Sequence, residues 1–489
     1  MSNSKEHTAD DASFGSLDLS PEILKNLASL GYRAMTPIQA QSLPHILAGE
    51  DVIGQGKTGS GKTAAFGLGL LATLDRKRFR VQSLVLCPTR ELADQVAKAI
   101  RELARTLANV KVLTLTGGTP FGPQVGSLEH GTHIVVGTPG RVDDHLRKGT
   151  LKLDAVTTLV LDEADRMLDM GFQEELDAIV DATPAKRQTL MFSATFQSGI
   201  QSVAKRIMQK PIMVSAPEVH DNSTIDQHFY IADDADARLT AVRLLLLQHR
   251  PDSAVVFCNT KKETQDVAES LRAAGFSALA LHGDLEQNDR DRTLVRFANK
   301  STTILVATDV AARGLDIESV DAVINYQLAA DTEVHVHRVG RTGRAGNTGM
   351  AFTLFATSER YKADRLENYL GKTISTEELP SKSLLAEAPA SPLMITVQID
   401  GGKKQKLRPG DILGALTGEH GITGKQVGKI NIFDNHAYVA IDRNAVSAAL
   451  KKLNAGKLKG RTFKARRIEG QPTNSRRIAR RREKSVWDR

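Results

Sequence analysis

Residues 56–63 read Gly-Lys-Thr-Gly-Ser-Gly-Lys-Thr, and they restrict the fold of this chain more than any other segment. They fit G-x-x-x-x-G-K-[ST]. A short apolar run, DVIG, leads in, and an apolar helical stretch, AAFGLGLLATL, leads out. In that context the glycines let backbone N–H groups wrap phosphates. Lys62 is placed to reach the β- and γ-phosphates and Thr63 to ligate Mg²⁺. Thr58, Gly59, Ser60 and Gly61 complete the candidate nucleotide contacts.

The rest of the chain agrees with a phosphate loop on a parallel sheet. Apolar strands alternate with helical stretches: SLVLCPT then RELADQVAKAIRELARTL, HIVVGTP then GRVDDHLRKG. Such alternation predicts α/β domains with parallel sheets. The pattern restarts near residue 225. At an offset of 171, Cys87 matches Cys258, Thr89 matches Thr260, Arg90 matches Lys261, and Val96-Ala97 match Val267-Ala268. Five matches in one strand–loop–helix unit predict a duplicated domain. Leu17 to Ala48 reads as short helices, with a helix start at Ser20-Pro21.

The expected organisation is a disordered 1–12, a RecA-like domain over 13–207, a linker over 208–224, and a second RecA-like domain over 225–375. A Pro/Ala/Ser-rich linker follows at 376–391. Residues 392–470 then read strand, helix, two strands around Asp434-Asn435, helix, strand. That βαββαβ order is RRM-like. Residues 471–489 form a basic tail expected to be disordered.

Charge separates the parts. Residues 401–489 hold 22 Lys+Arg against 7 Asp+Glu, whereas the first 400 hold 43 against 50. A positive excess confined to one end of an otherwise acidic protein predicts a polyanion-binding device. Aromatics are only 4%, which argues against extended stacking platforms. Two cysteines give neither a disulfide framework nor a zinc spacing, and suit reduced, buried thiols. The N-terminus lacks the apolar core of a signal peptide, and no apolar run reaches the ~20 residues of a membrane span. A soluble, cytoplasmic protein without a membrane partner is expected. Its oligomeric state is left open.

Two further motifs carry chemistry. Asp162-Glu163-Ala164-Asp165 ends the apolar strand TTLVL. Acids at a strand end beside a phosphate loop suit metal and water: Asp162 for the metal shell, Glu163 for the base that polarises the attacking water. His337-Arg338-Val339-Gly340-Arg341-Thr342-Gly343-Arg344 lies in the second repeat. Alone, its arginines would serve equally as an RNA contact. Facing a phosphate loop, Arg341 and Arg344 read as fingers for the charge that hydrolysis builds.

Together these segments resemble the DEAD-box RNA helicases over residues ~14–370. The chain has Phe14 ahead of GYRAMTPIQ (31–39), then GKTGSGKT, PTRELA (88–93), Gly117-Gly118, TPGR (138–141), DEAD and SAT (193–195). The second repeat has VVFCNTK (255–261), QNDR (287–290), ATDVAARGLD (307–316) and HRVGRTGR. The resemblance implies an ATP-dependent, RNA-stimulated motor with ATP and Mg²⁺. It implies Gln39 as adenine reader with Tyr32 stacked on the base and Phe14 nearby, and Asp316 facing the nucleotide from the second domain. Ser193, Thr195 and His337 would couple hydrolysis to strand separation. Thr89, Arg90, Gly118, Thr138, Arg141, Arg290 and Thr308 would line an RNA backbone track. Met35 and Gly56 depart from the common Pro and Ala of the family without removing a functional atom.

The C-terminal part is similar to that of DbpA-type helicases at GDILGALTGEHGITGKQVGKI (410–430) and HAYVAI (436–441). This implies recognition of a large-subunit ribosomal RNA hairpin beside the duplex to be opened, within a pre-ribosomal particle. Its third strand departs from the RRM consensus: Asp434 replaces the basic residue and Ile441 the last aromatic. Stacking of bases on the sheet is therefore not expected. Lys403, Lys404, Lys406, Lys425, Lys429, Arg466 and Arg467 are the candidate phosphate contacts. The rival functions are a general RNA chaperone or ATP-gated RNA clamp without ribosomal specificity, a scaffold with a dead motor, and a DNA helicase. Intact Glu163, Arg341 and Arg344 favour turnover.

Overall fold

The computed structural model describes residues 13–468 except 57–58, 194–195, 197, 216–224, 313–319, 330, 344–347 and 420. The first domain is built on seven strands: β1 (Val52–Gln55), β2 (Ser83–Leu86), β3 (Val112–Leu115), β4 (Ile134–Gly137), β5 (Thr158–Asp162), β6 (Gln188–Ser193) and β7 (Ile212–Ser215). They lie in the order β3-β4-β2-β5-β6-β1-β7, every neighbour parallel. Helices fill every crossover and cover the sheet. That is why Leu84, Val85, Leu86, Val135 and Val136 are all fully buried and the strands read as continuous apolar runs.

The second sheet holds β8 (Ile225–Ile231), β9 (Ala254–Cys258), β10 (Ala278–Leu281), β11 (Ile304–Thr308), β12 (Ala322–Asn325) and β13 (Gly349–Phe355). Its order is β10-β11-β9-β12-β13-β8, again parallel. The duplication is visible in the caps. Thr89 opens helix Arg90–Leu103 and Thr260 opens helix Lys261–Ala273. Both have φ of −126°, and both hydroxyls accept a backbone N–H three residues on. Cys87 and Cys258 are the matching buried residues at the ends of β2 and β9.

Two of the expected linkers carry structure. β7 falls inside 208–224 and pairs with β1, so the first domain runs beyond residue 207. Pro211 obscures this strand, and its partner is distant in sequence. Within 376–391, Lys382–Ala386 forms a 3₁₀ turn, and Leu379, Leu384 and Leu385 pack on the apolar core of the second domain. The Glu377 backbone N–H donates to the Phe229 carbonyl, and its carboxylate accepts the Tyr230 hydroxyl at 3.0 Å. This stretch is a packed strap.

The C-terminal domain is the expected βαββαβ: β14 (Met394–Ile399), helix Pro409–Thr417, β15 (Val427–Ile432), β16 (Ala437–Asp442), helix Val446–Ala455 and β17 (Ala465–Arg467). The sheet is antiparallel, in the order β15-β16-β14-β17. Val397, Ile399, Val439 and Ile441 face the two helices and form its core. The alternate residues Thr396, Tyr438 and Ala440 point the other way, yet none is more than 3% exposed. The second domain covers Thr396 and Tyr438. Ser301 and Thr396 hydroxyls lie 2.6 Å apart, Asn299 Nδ2 donates to Thr396 Oγ1 at 3.2 Å, and the Arg292 guanidinium bonds the Tyr438 hydroxyl. No helix of the described residues is long and apolar enough to cross a membrane.

Candidate functional site

In a parallel sheet the loops after each strand gather at one edge, and ligands bind there. In the first domain that edge collects the phosphate loop after β1, PTRELA after β2, Gly117-Gly118 after β3, TPGR after β4, DEAD at the end of β5 and Ser193 at the end of β6. A cavity of about 580 Å³ opens beside it, lined by Tyr32, Gln39, Gly61, Lys62, Asp162 and Glu163, with Thr63 also on its wall.

The phosphate loop is fastened to the segment ahead of it. Thr36 caps helix Pro37–Leu47, and its N–H donates to Gln39 Oε1 at 2.9 Å. The Thr36 hydroxyl donates to the Ser60 carbonyl at 2.7 Å, and Gln39 Nε2 donates to the Gly61 carbonyl at 3.1 Å. Gly61 has φ of +96°, and a Cβ there would meet Gln39 Nε2 at 2.5 Å. Only glycine allows that approach. The Phe14 and Tyr32 rings meet edge-on at 6.0 Å, so Phe14 packs against one residue of the cavity wall. Lys62 is buried, and its ammonium donates to the Gly56 carbonyl. The Gly56 N–H in turn donates to the Ser193 carbonyl at 3.0 Å, tying the end of β6 to the loop.

Asp162 and Glu163 are 3% and 5% exposed. Burial pushes the Asp162 carboxyl up to about 7, against the pull of the Lys62 ammonium and with a further push from Glu163. A buried carboxyl with so little compensating charge fits a site for a cation. Glu163 stands at φ +53° and caps helix Ala164–Asp169. Its carboxylate pairs with Arg166 Nη1 at 2.9 Å, both groups buried. Arg166 was not among the candidates; nothing in DEADR marks it apart from a surface arginine.

The candidate RNA residues of the first domain come together. Thr89 and Thr138 cap helices Arg90–Leu103 and Pro139–Arg147, whose N-terminal N–H groups suit phosphate. The Arg90 guanidinium lies over Gly118, where a Cβ would sit 2.0 Å from Nη1. Arg141 Nη1 donates to Gln124 Oε1 at 2.8 Å and to the Thr119 carbonyl at 3.2 Å.

In the second domain, Thr308 ends β11 and Arg290 Nη2 donates to the Ala311 carbonyl at 2.9 Å. Arg341 is 5% exposed, and His337 lies in the last turn of helix Thr332–Val339. The organising residue is Arg338, also not foreseen. It is 2% exposed and grips Asp309 with two bonds, Nε to Oδ1 at 2.6 Å and Nη2 to Oδ2 at 2.7 Å. Further bonds reach Asn259 Oδ1 at 2.8 Å and the Gln327 carbonyl at 3.0 Å. It thereby joins NTK, ATDV and HRVGR. Thr58, Thr195, Asp316 and Arg344 lie outside the described residues.

In the C-terminal domain the seven basic candidates are all exposed but do not form one cluster. Lys403, Lys404 and Lys406 sit on the turn after β14, and Lys459 Nζ donates to the Lys406 carbonyl at 2.7 Å. Lys425 and Lys429 belong to the β15 edge, whereas Arg466 and Arg467 belong to the opposite edge, β17. The sheet face between those edges is closed by the second domain.

Comparison with known proteins agrees with this architecture. Residues 36–203 match the DEAD/DEAH box helicase family, 237–346 the helicase conserved C-terminal domain, and 396–467 the DbpA RNA binding domain. The chain is 53% identical to the ATP-dependent RNA helicase DbpA of Escherichia coli over 92% of its length and 98% of that protein. It is 36% identical to DbpA of Bacillus subtilis, again over 92% and 98%. Among solved structures, Saccharomyces cerevisiae Dbp5 bound to RNA and ADP BeF3 is 29% identical and covers 76% of this chain and 96% of its own, with a TM-score of 0.67. The DEAD-box helicase Mss116 bound to ssRNA and UDP-BeF is 28% identical over 78% of this chain and 82% of its own, with a TM-score of 0.69. Two parallel-sheet motor domains, a complete set of ATP motifs and a DbpA-type RNA-binding domain thus make this chain a DEAD-box ATP-dependent RNA helicase of the DbpA type, an RNA-stimulated ATPase.

Proposed function

We propose that the enzyme opens short RNA duplexes beside a large-subunit ribosomal RNA hairpin during ribosome assembly. The observation that carries this reading is the folded DbpA-type domain at 396–467, with its exposed lysines and arginines. Motor contacts to RNA backbone fix position without reading sequence. The choice of RNA then falls to the C-terminal domain, where Lys403, Lys404, Lys406, Lys425, Lys429, Arg466 and Arg467 meet phosphates.

In the motor, residues 56–63 wrap the ATP phosphates and Lys62 neutralises the β- and γ-oxygens. Gln39 and Tyr32 hold adenine in the cavity beside them. Mg²⁺ would be held by Thr63 and Asp162, where it would offset phosphate charge. Glu163 accepts a proton from the attacking water, and Arg166 holds the carboxylate in place through one oxygen. Arg341 and Arg344 neutralise charge on the transferred phosphoryl group. Thr89, Arg90, Gly118, Thr138 and Arg141 hold one stretch of RNA backbone, and Arg290 and Thr308 hold the next. Cytoplasm is the compartment this role requires.

The test is the affinity ratio, hairpin over unrelated RNA, at one fixed salt, for the full chain and for a variant with Lys403, Lys404 and Lys406 changed to alanine. The ratio should fall in the variant while ATPase at saturating RNA persists. A full chain that binds every RNA alike would leave a general RNA chaperone.

A further inference from the structure

Away from the motif-bearing edge, the first domain carries a second polar feature. Residues 76–80 read Arg-Lys-Arg-Phe-Arg and join helix Lys62–Ala72 to the start of β2. All five side chains are exposed, and Phe79 is 44% exposed. Because β2 runs away from this loop, it lies at the edge of the sheet opposite the phosphate loop and the RNA track.

The loop is held in shape. Gln82, 5% exposed, donates through Nε2 to the carbonyls of Asp75 at 2.8 Å and Arg78 at 2.7 Å, and its Oε1 accepts the Asp75 N–H at 3.0 Å. The Arg80 N–H donates to the Arg78 carbonyl at 2.8 Å. Gly131, at φ +75°, lets the backbone pass close: a Cβ there would meet the Phe79 carbonyl oxygen at 2.8 Å. One side of the Phe79 ring is propped by His133, centroids 4.8 Å apart, and Lys111 Nζ lies over the ring 4.9 Å from its centroid and donates to the His130 carbonyl at 3.2 Å. Arg76 and Arg80 are paired with Glu22 and Asp154. Lys77 and Arg78 have no acidic partner among the described residues. A fixed loop thus presents an aromatic ring amid cations, the combination that stacks bases and tracks phosphates in single-stranded nucleic acid.

We propose that this loop is a second RNA-binding surface, where a base stacks on Phe79 while Lys77, Arg78 and Lys111 meet the flanking phosphates. An acidic peptide would satisfy the charges but offers the ring no flat partner. The proposal rests on the RNA helicase activity and is independent of the ribosomal target.

The test uses the full chain and two fluorescein-labelled RNAs: a duplex with a short uridine extension, and the same duplex with an extension long enough to span the domain. Phe79→Ala should weaken binding of the long RNA about tenfold, and Phe79→Trp should restore it. Lys77→Glu with Arg78→Glu should reduce the slope of log Kd against log salt by about 1.4 on the long RNA, at ~0.7 per single-strand phosphate contact. The short RNA, the ATPase it stimulates and the melting temperature should not change. A polyglutamate peptide serves as the competing probe. Wild-type affinity and slope for the long RNA in all variants would overturn the proposal. So would tight polyglutamate binding abolished by the charge reversal while Phe79→Ala leaves RNA binding intact, which would make the loop a docking face for acidic protein.

Discussion

Replacing Arg338 should damage the second domain more than any surface arginine. Its guanidinium makes two bonds to Asp309, one to Asn259 and one to the Gln327 carbonyl, and it stacks 5.4 Å from the Phe257 ring. Arg338→Leu leaves the Asp309 carboxylate with no counter-charge in a partly buried site. Breaking one side of a buried pair costs about 3–5 kcal/mol, a large share of the roughly 5–15 kcal/mol that holds a domain together. Unfolding of a multidomain chain is not two-state. The assay is therefore native-state hydrogen exchange on the amides of β9 and β11, which flank the pair. Arg338→Lys keeps the charge but loses the fork, so it should fall between the two. Arg338→Met with Asp309→Leu removes both charges and should recover most of the loss. A drop below about 1 kcal/mol for Arg338→Leu, or no recovery in the double variant, would refute the idea that the ion pair organises these three motifs.

Glu163→Gln should keep ATP and RNA binding and lower turnover at least 10²-fold, measured as phosphate release at saturating RNA. His335 is fully buried in the second domain, and burial, aided by nearby Arg338, pulls its imidazole down to about 3. Between the usual 6.5 and about 3 the unfolded chain takes up a proton that the folded one refuses. Stability should therefore be unaffected above pH 6.5 and fall by ~1.4 kcal/mol at pH 5.5, a dependence that His335→Phe should flatten in exchange measurements at the two pH values. Gly118→Ala forces a Cβ onto Arg90 at φ +74°. RNA-stimulated ATPase should need several-fold more RNA, while Kd for ATP without RNA stays the same.

The two motor sheets were legible because each helix–strand boundary is written in local chemistry. Ser20 before Pro21, Thr89 and Thr260 all cap as their positions suggest. The phosphate loop and DEAD needed only their flanking strands. Other features depend on partners far along the chain. Thr396, Gln398 and Tyr438 alternate with apolar residues as on a solvated strand face, and periodicity cannot distinguish water from the polar surface of another domain. Arg338 and Arg166 look like solvated helix charges until burial is known. The proline-rich strap reads as a linker because Leu379, Leu384 and Leu385 are too few to show a period among the Pro, Ala and Ser residues.

The position of β1 has a consequence for synthesis. Both its neighbours, β6 and β7, come from residues 188–193 and 212–215, so the strand that carries the phosphate loop keeps unpaired backbone on both sides until residue 188 is made, and on one side until residue 212. At roughly 5–20 residues per second that wait is on the order of 10–30 s. During it, Val52 and Ile53, fully or almost fully buried in the finished domain, remain open to wrong pairing. The nascent chain therefore cannot bind ATP early, and this interval is when it most needs a chaperone.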